Sequence, residues 1–90
     1  IKADVVIVGG GMAGLSAAQC FSQKGLSVVL LEKNYCGAGA SGKSAGFITP
    51  NSELGLEHFD AIFGSENAKK LWEFVSDGAT AIHRNIKEHN

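Results

Sequence analysis

Cysteine and proline are scarce in this chain of ninety residues, which has two cysteines and one proline. Cys20 and Cys36 lack the spacing of metal ligands, so the pattern excludes a structural zinc site. The simplest interpretation is a pair of reduced thiols in a cytoplasmic protein, and we expect that location. A disulfide or a reactive thiol stays an open alternative.

Excess charge of one sign and long hydrophobic runs are also missing. Eight basic and nine acidic residues give a net charge of -1, and the basic residues are scattered. The electrostatic footprint of a nucleic-acid-binding protein is therefore absent. The apolar runs are far too short to cross a bilayer, and no signal-peptide pattern is present. We expect neither a nucleic-acid partner nor a transmembrane segment, and the sequence leaves the oligomeric state open.

Glycine, by contrast, occurs twelve times, and the first glycine cluster follows a hydrophobic run. The β-branched residues before it predict a parallel strand over residues 3–8, covered on both faces. Gly9, Gly11 and Gly14 then complete the pattern G-x-G-x-x-G directly after that strand. This order is typical of the turn that opens a dinucleotide-binding unit.

The residues after the glycines continue the same pattern. Small and apolar residues at helical spacing predict a helix over residues 12–24, and Gly25 is the expected stop because glycine adopts left-handed conformations easily. A second apolar run predicts a strand over residues 27–32, with Glu32 at its end. A right-handed crossover should set the two strands side by side and parallel.

Each of these positions has a physical role if a dinucleotide binds. Gly9 permits the tight turn, Gly11 lets a pyrophosphate approach the backbone, and Gly14 lets helix and strand pack closely. The helix N-terminus offers free N–H groups to the phosphates, and Glu32 can bind ribose hydroxyls. The competing interpretation is a glycine-rich turn that binds nothing.

A second glycine-rich segment lies within residues 35–52, which we predict to be a long loop with one helical turn. Residues 37–44 match the P-loop pattern G-x-x-x-x-G-K-S, which would place Lys43 on nucleotide phosphates and Ser44 on magnesium. The preceding strand, however, ends near Glu32, and the residues after Ser44 are poor helix formers. We prefer a loop that folds back over the first glycine turn and adds hydrogen bonds from its serine hydroxyls along the cofactor.

The last third of the chain predicts two helices. A short helix should lie within residues 53–63 and end at Gly64, and Ser65 is the expected N-cap of a long final helix. The apolar face of that helix contains Ala68, Leu71, Trp72, Val75, Ala79, Ile82 and Ile86. Gly78 is a weak point within it, and its charged face is most simply solvated.

Taken together, three segments resemble the FAD-dependent oxidoreductases of the D-amino-acid oxidase family. They are residues 4–14, residues 30–33 and residues 39–46. In the family the last segment often reads G-A-S-G-R-N-A-G, from which Lys43 and Ser44 depart. Lysine at position 43 is a point charge and cannot make a bidentate contact. The resemblance covers the whole chain, and the combination of the two glycine motifs is more specific than either alone.

The resemblance implies an α/β fold: a Rossmann-like FAD-binding βαβ unit, then a glycine-rich loop and a long α-helix. It implies FAD as the cofactor, and oxidation of a C–N bond in a small-molecule amine or amino acid by hydride transfer to the flavin. Such chemistry belongs to the cofactor, which the protein orients. The cofactor-binding residues it implies are Gly9, Gly11, Met12, Ala13, Gly14, Glu32, Lys33, Ser41, Gly42, Lys43, Ser44, Ala45 and Gly46.

No catalytic residue and no metal ligand is assigned, because the three histidines lie in predicted helices or at the chain end. We interpret residues 1–90 as the N-terminal part of an FAD/NAD(P)-binding domain, since one mononucleotide-binding half is present. We expect these ninety residues alone to bind FAD poorly and to be inactive. The alternatives are the nucleotide-binding unit of an NAD-dependent dehydrogenase and a P-loop module for ATP or GTP.

Overall fold

A computed structural model describes residues 1–49 and 54–89 of the chain. The chain divides into two compact units, Ile1–Gly46 and Phe47–Asn90, each of which is described by itself. In chain order the elements are β1 (Val5–Val8), α1 (Met12–Gln23), β2 (Val28–Leu31), α2 (Ala40–Lys43), α3 (Leu56–Phe63) and α4 (Ser65–His89).

The first unit contains the predicted βαβ arrangement. β1 and β2 are parallel and adjacent, with Val5 opposite Val28 and Val8 opposite Leu31, and α1 packs against both strands. Each element is shorter than predicted by one or two residues at some of its ends. The α/β fold expected from the sequence is confirmed.

One expectation about β1 is wrong. The hydrophobic run predicts a strand covered on both faces, but Val6 and Val8 are 59% and 84% exposed. Their neighbours Val5 and Ile7 are half-buried, because α1 packs against the sheet. Side chains alternate between the two faces of a strand, so a single helix covers only every second residue.

The predicted glycine stop of α1 is confirmed by its geometry. Gly25 has a φ of 82° and donates its N–H to the carbonyl of Ser22 at 3.0 Å. The N–H of Leu26 reaches the carbonyl of Phe21 at 3.2 Å. This pair of bonds is the Schellman motif, in which a left-handed residue satisfies the last helix carbonyls. It turns the chain directly into β2.

The long loop contains one helical turn, as predicted. That turn is α2, and the backbone is extended again at Ser44. The predicted loop runs over residues 35–52; its last residues, 50–52, lie outside the part of the chain that the structure describes.

In the second unit, α3 and α4 pack against each other as a helical pair. The short helix is predicted within residues 53–63; it begins at Leu56, and Glu53 lies outside the described residues. Gly64, with a φ of 82°, ends α3 by donating its N–H to the carbonyl of Asp60 at 3.0 Å. Ala68, on α4, is buried within this helical pair and is only 1% exposed.

The predicted N-cap of the final helix is wrong by one residue. α4 starts at Ser65 itself, and the carbonyl of Gly64 already accepts the N–H of Ala68 at 2.9 Å. The Ser65 hydroxyl donates instead to the carboxylate of Asp60 on the preceding helix. The hydrogen bond that the hydroxyl donates to an ionised carboxylate is stronger than the bond that it would accept from a helix amide as an N-cap. α4 also runs through Gly78 without a break.

The apolar face of α4 is only partly covered. Leu71 and Ile86 are exposed, and the other large residues of that face are half-buried. Within residues 1–49 and 54–89, no helix combines the length and the hydrophobicity needed to cross a membrane.

Candidate nucleotide-binding site

A cavity of about 360 Å³ opens where the carboxyl ends of β1 and β2 meet. Three short segments line it: residues 9–11 after β1, residues 32–34 after β2, and residues 37–41 in the following loop. In open α/β sheets, the crevice beyond the carboxyl ends of the strands is where ligands bind. The fold therefore brings both glycine-rich segments and Glu32 to one place.

The first glycine turn joins β1 to α1 in a conformation that needs glycine at two positions for different reasons. Gly9 has a φ of 108°, a left-handed conformation that other residues rarely adopt. At Gly14 the reason is space, because a methyl group there would overlap the carbonyl oxygen of Gly9. The N–H of Gly9 donates to the carbonyl of Leu31 at 2.8 Å, which ties the turn to β2.

Glu32 lies at the edge of this turn with its carboxylate already oriented. Oε2 accepts the backbone N–H of Gly10 at 2.7 Å, and Oε1 accepts the N–H of Asn34 at 3.0 Å. These two amides, Gly10 first, hold the pKa of Glu32 below its usual value. The side chain is thus an ionised carboxylate that still has free lone pairs for hydroxyl donors.

Ser41 connects the second segment to the start of α1. Its Oγ accepts the backbone N–H of Met12 at 2.9 Å. A methyl group placed on Gly11 would lie only 3.0 Å from the same oxygen. Because Gly11 itself has no side-chain cap to offer, Ser41 satisfies one of the free N–H groups at this helix N-terminus.

The second segment repeats the geometry of the first glycine turn. Gly37, Gly39 and Gly42 have the G-x-G-x-x-G spacing of the first turn. Gly37 has a φ of 82°, and Gly39 is the N-cap of α2 with the same φ of -86° that Gly11 has as the N-cap of α1. A methyl group on Gly42 would overlap the carbonyl oxygen of Gly37. Two turns of similar geometry therefore line one cavity.

The predicted site residues fall into three groups in the structure. Gly9, Gly11, Glu32, Lys33 and Ser41 line the cavity. Met12, Ala13 and Gly14 lie in the first turn of α1 and do not line the cavity, although the Met12 amide donates to the cavity residue Ser41. The third group follows Ser41 in the chain and does not line the cavity either: Gly42, Lys43, Ser44, Ala45 and Gly46. The Ser44 hydroxyl is engaged within its own loop, accepting the N–H of Gly46 at 3.2 Å.

Several residues that line the cavity are not among those predicted from the sequence. They are Gly10, Asn34, Gly37, Ala38, Gly39 and Ala40. One signal in the sequence could have found part of this set, because the glycine spacing of the first turn recurs from Gly37 to Gly42. The P-loop pattern includes the same glycines and predicts a different role for them.

The structure argues against a P-loop at residues 37–44. A P-loop joins a strand directly to a substantial helix. Here β2 ends at Leu31, and the helix that follows the glycines contains only the four residues of α2. A loop therefore separates the strand from the glycines, and the supporting helix is missing.

The described ranges contain no group of three or more His, Cys, Asp or Glu side chains arranged to hold a metal ion. Cys20 and Cys36 are free and exposed. His58, His83 and His89 are exposed on α3 and α4, in the second unit.

Comparison with known proteins identifies the family to which the chain belongs. The family model for FAD-dependent oxidoreductases, DAO, matches residues 4–90. The chain is 33% identical over 89 residues to gamma-glutamylputrescine oxidoreductase of Escherichia coli, covering 99% of this chain and 21% of that protein. It is 35% identical over 88 residues to the probable oxidoreductase OrdL of Haemophilus influenzae, covering 98% of this chain and 20% of that protein.

A third similarity covers less than half of the chain. The flavin-containing amine oxidase B of Cavia porcellus is 53% identical over 38 residues, which is 42% of this chain and 7% of that protein. No solved structure matches the chain. The chain spans about a fifth of the length of the curated oxidoreductases that match it end to end. With the family model covering nearly all of it, the chain belongs to the DAO family of FAD-dependent oxidoreductases.

Proposed function

We propose that this chain forms the N-terminal, nucleotide-binding part of an enzyme that uses FAD to oxidise a C–N bond in an amine or amino acid. The observation that carries the proposal is the Glu32 carboxylate, held by the Gly10 amide at the rim of a cavity between two glycine turns. An ionised acid at this position recognises the hydroxyls of an adenosine ribose. The amine substrate class is supported by the names of two relatives, gamma-glutamylputrescine oxidoreductase and amine oxidase B.

The residues of the first turn fit the pyrophosphate of FAD. The positive end of the α1 dipole suits an anion, and no side chain at Gly9 or Gly11 obstructs its approach. The amides of Gly9, Gly10 and Met12 already have partners within the chain, so the dipole and the open glycine backbone carry this part of the proposal. Glu32 and the neighbouring Lys33 fit the adenosine ribose and its surroundings. The proposed first set of cofactor-binding residues is Gly9, Gly11, Met12, Ala13, Gly14, Glu32 and Lys33.

The second segment fits the part of the cofactor that leads away from the adenosine. Ser41 lies against the start of α1, and the chain continues from there through the short helix α2. Hydroxyl and amide donors in this stretch suit the polar linker of FAD. The proposed second set is Ser41, Gly42, Lys43, Ser44, Ala45 and Gly46.

The size of the cavity agrees with a partial site. Ligand pockets usually enclose about 300–1,000 Å³, and this cavity of about 360 Å³ is at the lower end of that range. It therefore suits one portion of an extended dinucleotide. We propose that residues 1–90 supply the adenosine and pyrophosphate contacts as the first part of an FAD-binding domain, and that they supply no catalytic residue.

Bound FAD would supply the chemistry by accepting a hydride from the carbon next to the substrate nitrogen. The contribution of this chain is to bind the cofactor and to orient it. Because the four lone-pair directions of the Glu32 carboxylate are only partly used by Gly10 and Asn34, the remaining ones are available to ribose hydroxyls.

The visible spectrum of the purified full-length protein tests the cofactor, and anaerobic reduction tests the substrate class. We expect the absorption bands of an oxidised flavin, and we expect them to bleach with primary or secondary amines or amino acids. Matched alcohols and hydroxy acids serve as controls and should leave the bands unchanged. A colourless protein that gains no flavin when FAD is added would contradict the cofactor assignment. Bleaching by hydroxy acids alone would contradict the substrate class.

An NAD-dependent dehydrogenase is the alternative that this experiment separates. An acid after β2 suits NAD as well as FAD. The loop that carries Ser41 and the second glycine turn, however, has no role in that alternative. Tight NADH binding by a flavin-free protein would favour it.

A further inference from the structure

Gly10 occupies a variable position of the first glycine motif, and its backbone is bonded to both of the other segments that line the cavity. Its N–H donates to Glu32 Oε2 at 2.7 Å, and its carbonyl accepts the N–H of Gly37 at 2.8 Å. It is the buried residue of the first turn. The turn after β1, the acid after β2 and the second glycine turn are thus joined through one residue.

The reason for glycine at this position is space and not backbone conformation. Gly10 is not among the glycines with positive φ, so an alanine could adopt its backbone angles. A methyl group would, however, lie 2.9 Å from Cys36 Sγ, 3.3 Å from Cys36 Cα and 3.3 Å from Glu32 Cβ. The Cys36 thiol, which is the nearest atom, must move to admit a methyl group, and the Cα of Cys36 and the Cβ of Glu32 must each give by a few tenths of an ångström.

We propose that Gly10 is a positioning residue for the adenosine end of the cofactor: its missing side chain lets Cys36 and Glu32 close around it and so places the Glu32 carboxylate. This inference rests on the proposed function, because it assumes that Glu32 binds the ribose of FAD. Gly10 itself needs no contact with the cofactor. Its effect passes through Glu32 and through the second glycine turn.

A larger residue at position 10 should act in a specific way. It would push the Glu32 side chain and Cys36 apart by a few tenths of an ångström, which would shift the carboxylate relative to the Gly10 amide that holds it. The loss should therefore be a loss of cofactor affinity that depends on the presence of the Glu32 carboxylate and on the size of residue 36.

The test uses the full-length protein, stripped of cofactor and titrated with FAD by the quenching of flavin fluorescence. We expect Gly10→Ala to weaken FAD binding about tenfold or more, the scale of coupling between residues in direct contact. Adding Cys36→Ala to Gly10→Ala should restore most of the affinity, since it removes the nearest atom. In a Glu32→Ala background, Gly10→Ala should cause little further loss. Gly78→Ala, at a helix position with nothing within 4 Å, is the matched control and should leave FAD affinity unchanged.

The outcomes separate this inference from the proposed function. A parent protein that binds no flavin overturns the proposed function. A parent that binds FAD, with a Gly10→Ala variant that binds it equally well, overturns the role of Gly10. Losses that add up independently for Gly10→Ala and Glu32→Ala, with no recovery from Cys36→Ala, would mean a purely structural role and also overturn it. If Gly10→Ala does not fold, Cys36→Leu tests the same contact, because it enlarges the side chain that lies against Gly10. Unaltered FAD affinity in Cys36→Leu also overturns the role of Gly10.

Discussion

The hydroxyl of Ser41 accepts a hydrogen bond from the backbone amide of Met12 at 2.9 Å, between residues that lie 29 positions apart in the chain. The bond joins the loop after β2 to the N-terminus of α1, where free amides would otherwise face the cavity. Ser41 therefore serves as a helix cap supplied from outside the helix.

Replacing Ser41 by alanine should leave the Met12 amide without this partner and release the loop from the helix. A net hydrogen bond contributes about 0.5–1.5 kcal/mol, so we expect FAD affinity to fall about two- to tenfold. Fluorescence titration of the full-length protein measures the change. Ser16→Ala, an exposed position on the same helix, is the control and should not alter FAD affinity. Equal affinities in the two variants would contradict the capping role.

Gly14 and Gly78 should respond in opposite directions to alanine. At Gly14 the new methyl group would overlap the carbonyl oxygen of Gly9, so overpacking should lower the free energy of unfolding by about 1–3 kcal/mol or more. At Gly78, within α4, nothing lies within 4 Å, and alanine should raise the free energy of unfolding by about 0.5–1 kcal/mol. Urea unfolding of both variants measures the difference. A Gly14→Ala variant as stable as the parent would contradict the close packing of α1 on the first turn.

Acid should destabilise the protein partly through Glu32. Its pKa is lowered in the folded state by the amides of Gly10 and Asn34, so the ionised carboxylate stabilises the fold. This contribution is complete above the usual pKa of 4.5 and is lost as the pH falls through the lower folded value. The melting temperature should therefore drop below about pH 4.5, and less so in Glu32→Gln. In Glu88→Gln, an exposed control on α4, the acid loss should match the parent.

Asp4 and Ser27 form a second acid-sensitive pair at the other end of the sheet. The carboxylate of Asp4 accepts both the N–H and the hydroxyl of Ser27, at 2.8 and 2.9 Å, and these bonds lower the pKa of Asp4. We expect Ser27→Ala and Asp4→Asn each to lower the melting temperature at pH 7. The double variant should lose less than the sum of the two, because both changes break the same bonds. Strictly additive losses would contradict the pairing.

Lys43→Ala distinguishes the flavin site from a P-loop. Exposed charge interactions contribute about 1 kcal/mol or less, so FAD affinity should fall by about fivefold at most. A P-loop would instead require Lys43 for magnesium-dependent ATP or GTP binding. We expect no such binding in the parent protein by calorimetry, and nucleotide binding that Lys43→Ala abolishes would contradict the flavin assignment. Lys87→Ala near the end of α4 controls for a general loss of positive charge.

Local patterns were sufficient for most of the secondary structure. The hydrophobic runs predicted β1 and β2, and the glycine at position 25 predicted the end of α1. They were insufficient at Ser65, where the choice between capping the helix and bonding Asp60 depends on where α3 ends. They also overestimated the coverage of β1, since the alternation of Val6 and Val8 onto an open face depends on which elements pack on the sheet.

The parts of the candidate site, and the return of the loop over the first glycine turn, were predicted from the sequence, but the contacts that join them were not. Gly9, Gly11 and Glu32 follow from their spacing after two strands. Gly10 is a variable position of the motif, and its role follows from contacts with Glu32 and Gly37 that only the folded turn creates. The similarity of the second glycine turn to the first is visible in the spacing of its glycines, although the overlapping P-loop pattern suggests another function.

By itself, the sequence determined the βαβ order, the glycine turn and the acid after β2, because strand and helix periodicity and glycine conformation act over a few neighbouring residues. The tertiary structure decided that Ser41 caps α1, that the Gly10 amide holds Glu32, and which residues of the returning loop, 37–41, line the cavity. These contacts join residues that are 22 or more positions apart, and their geometry depends on the parallel pairing of β1 with β2. Local propensity carries no information about which distant amide a side chain will reach.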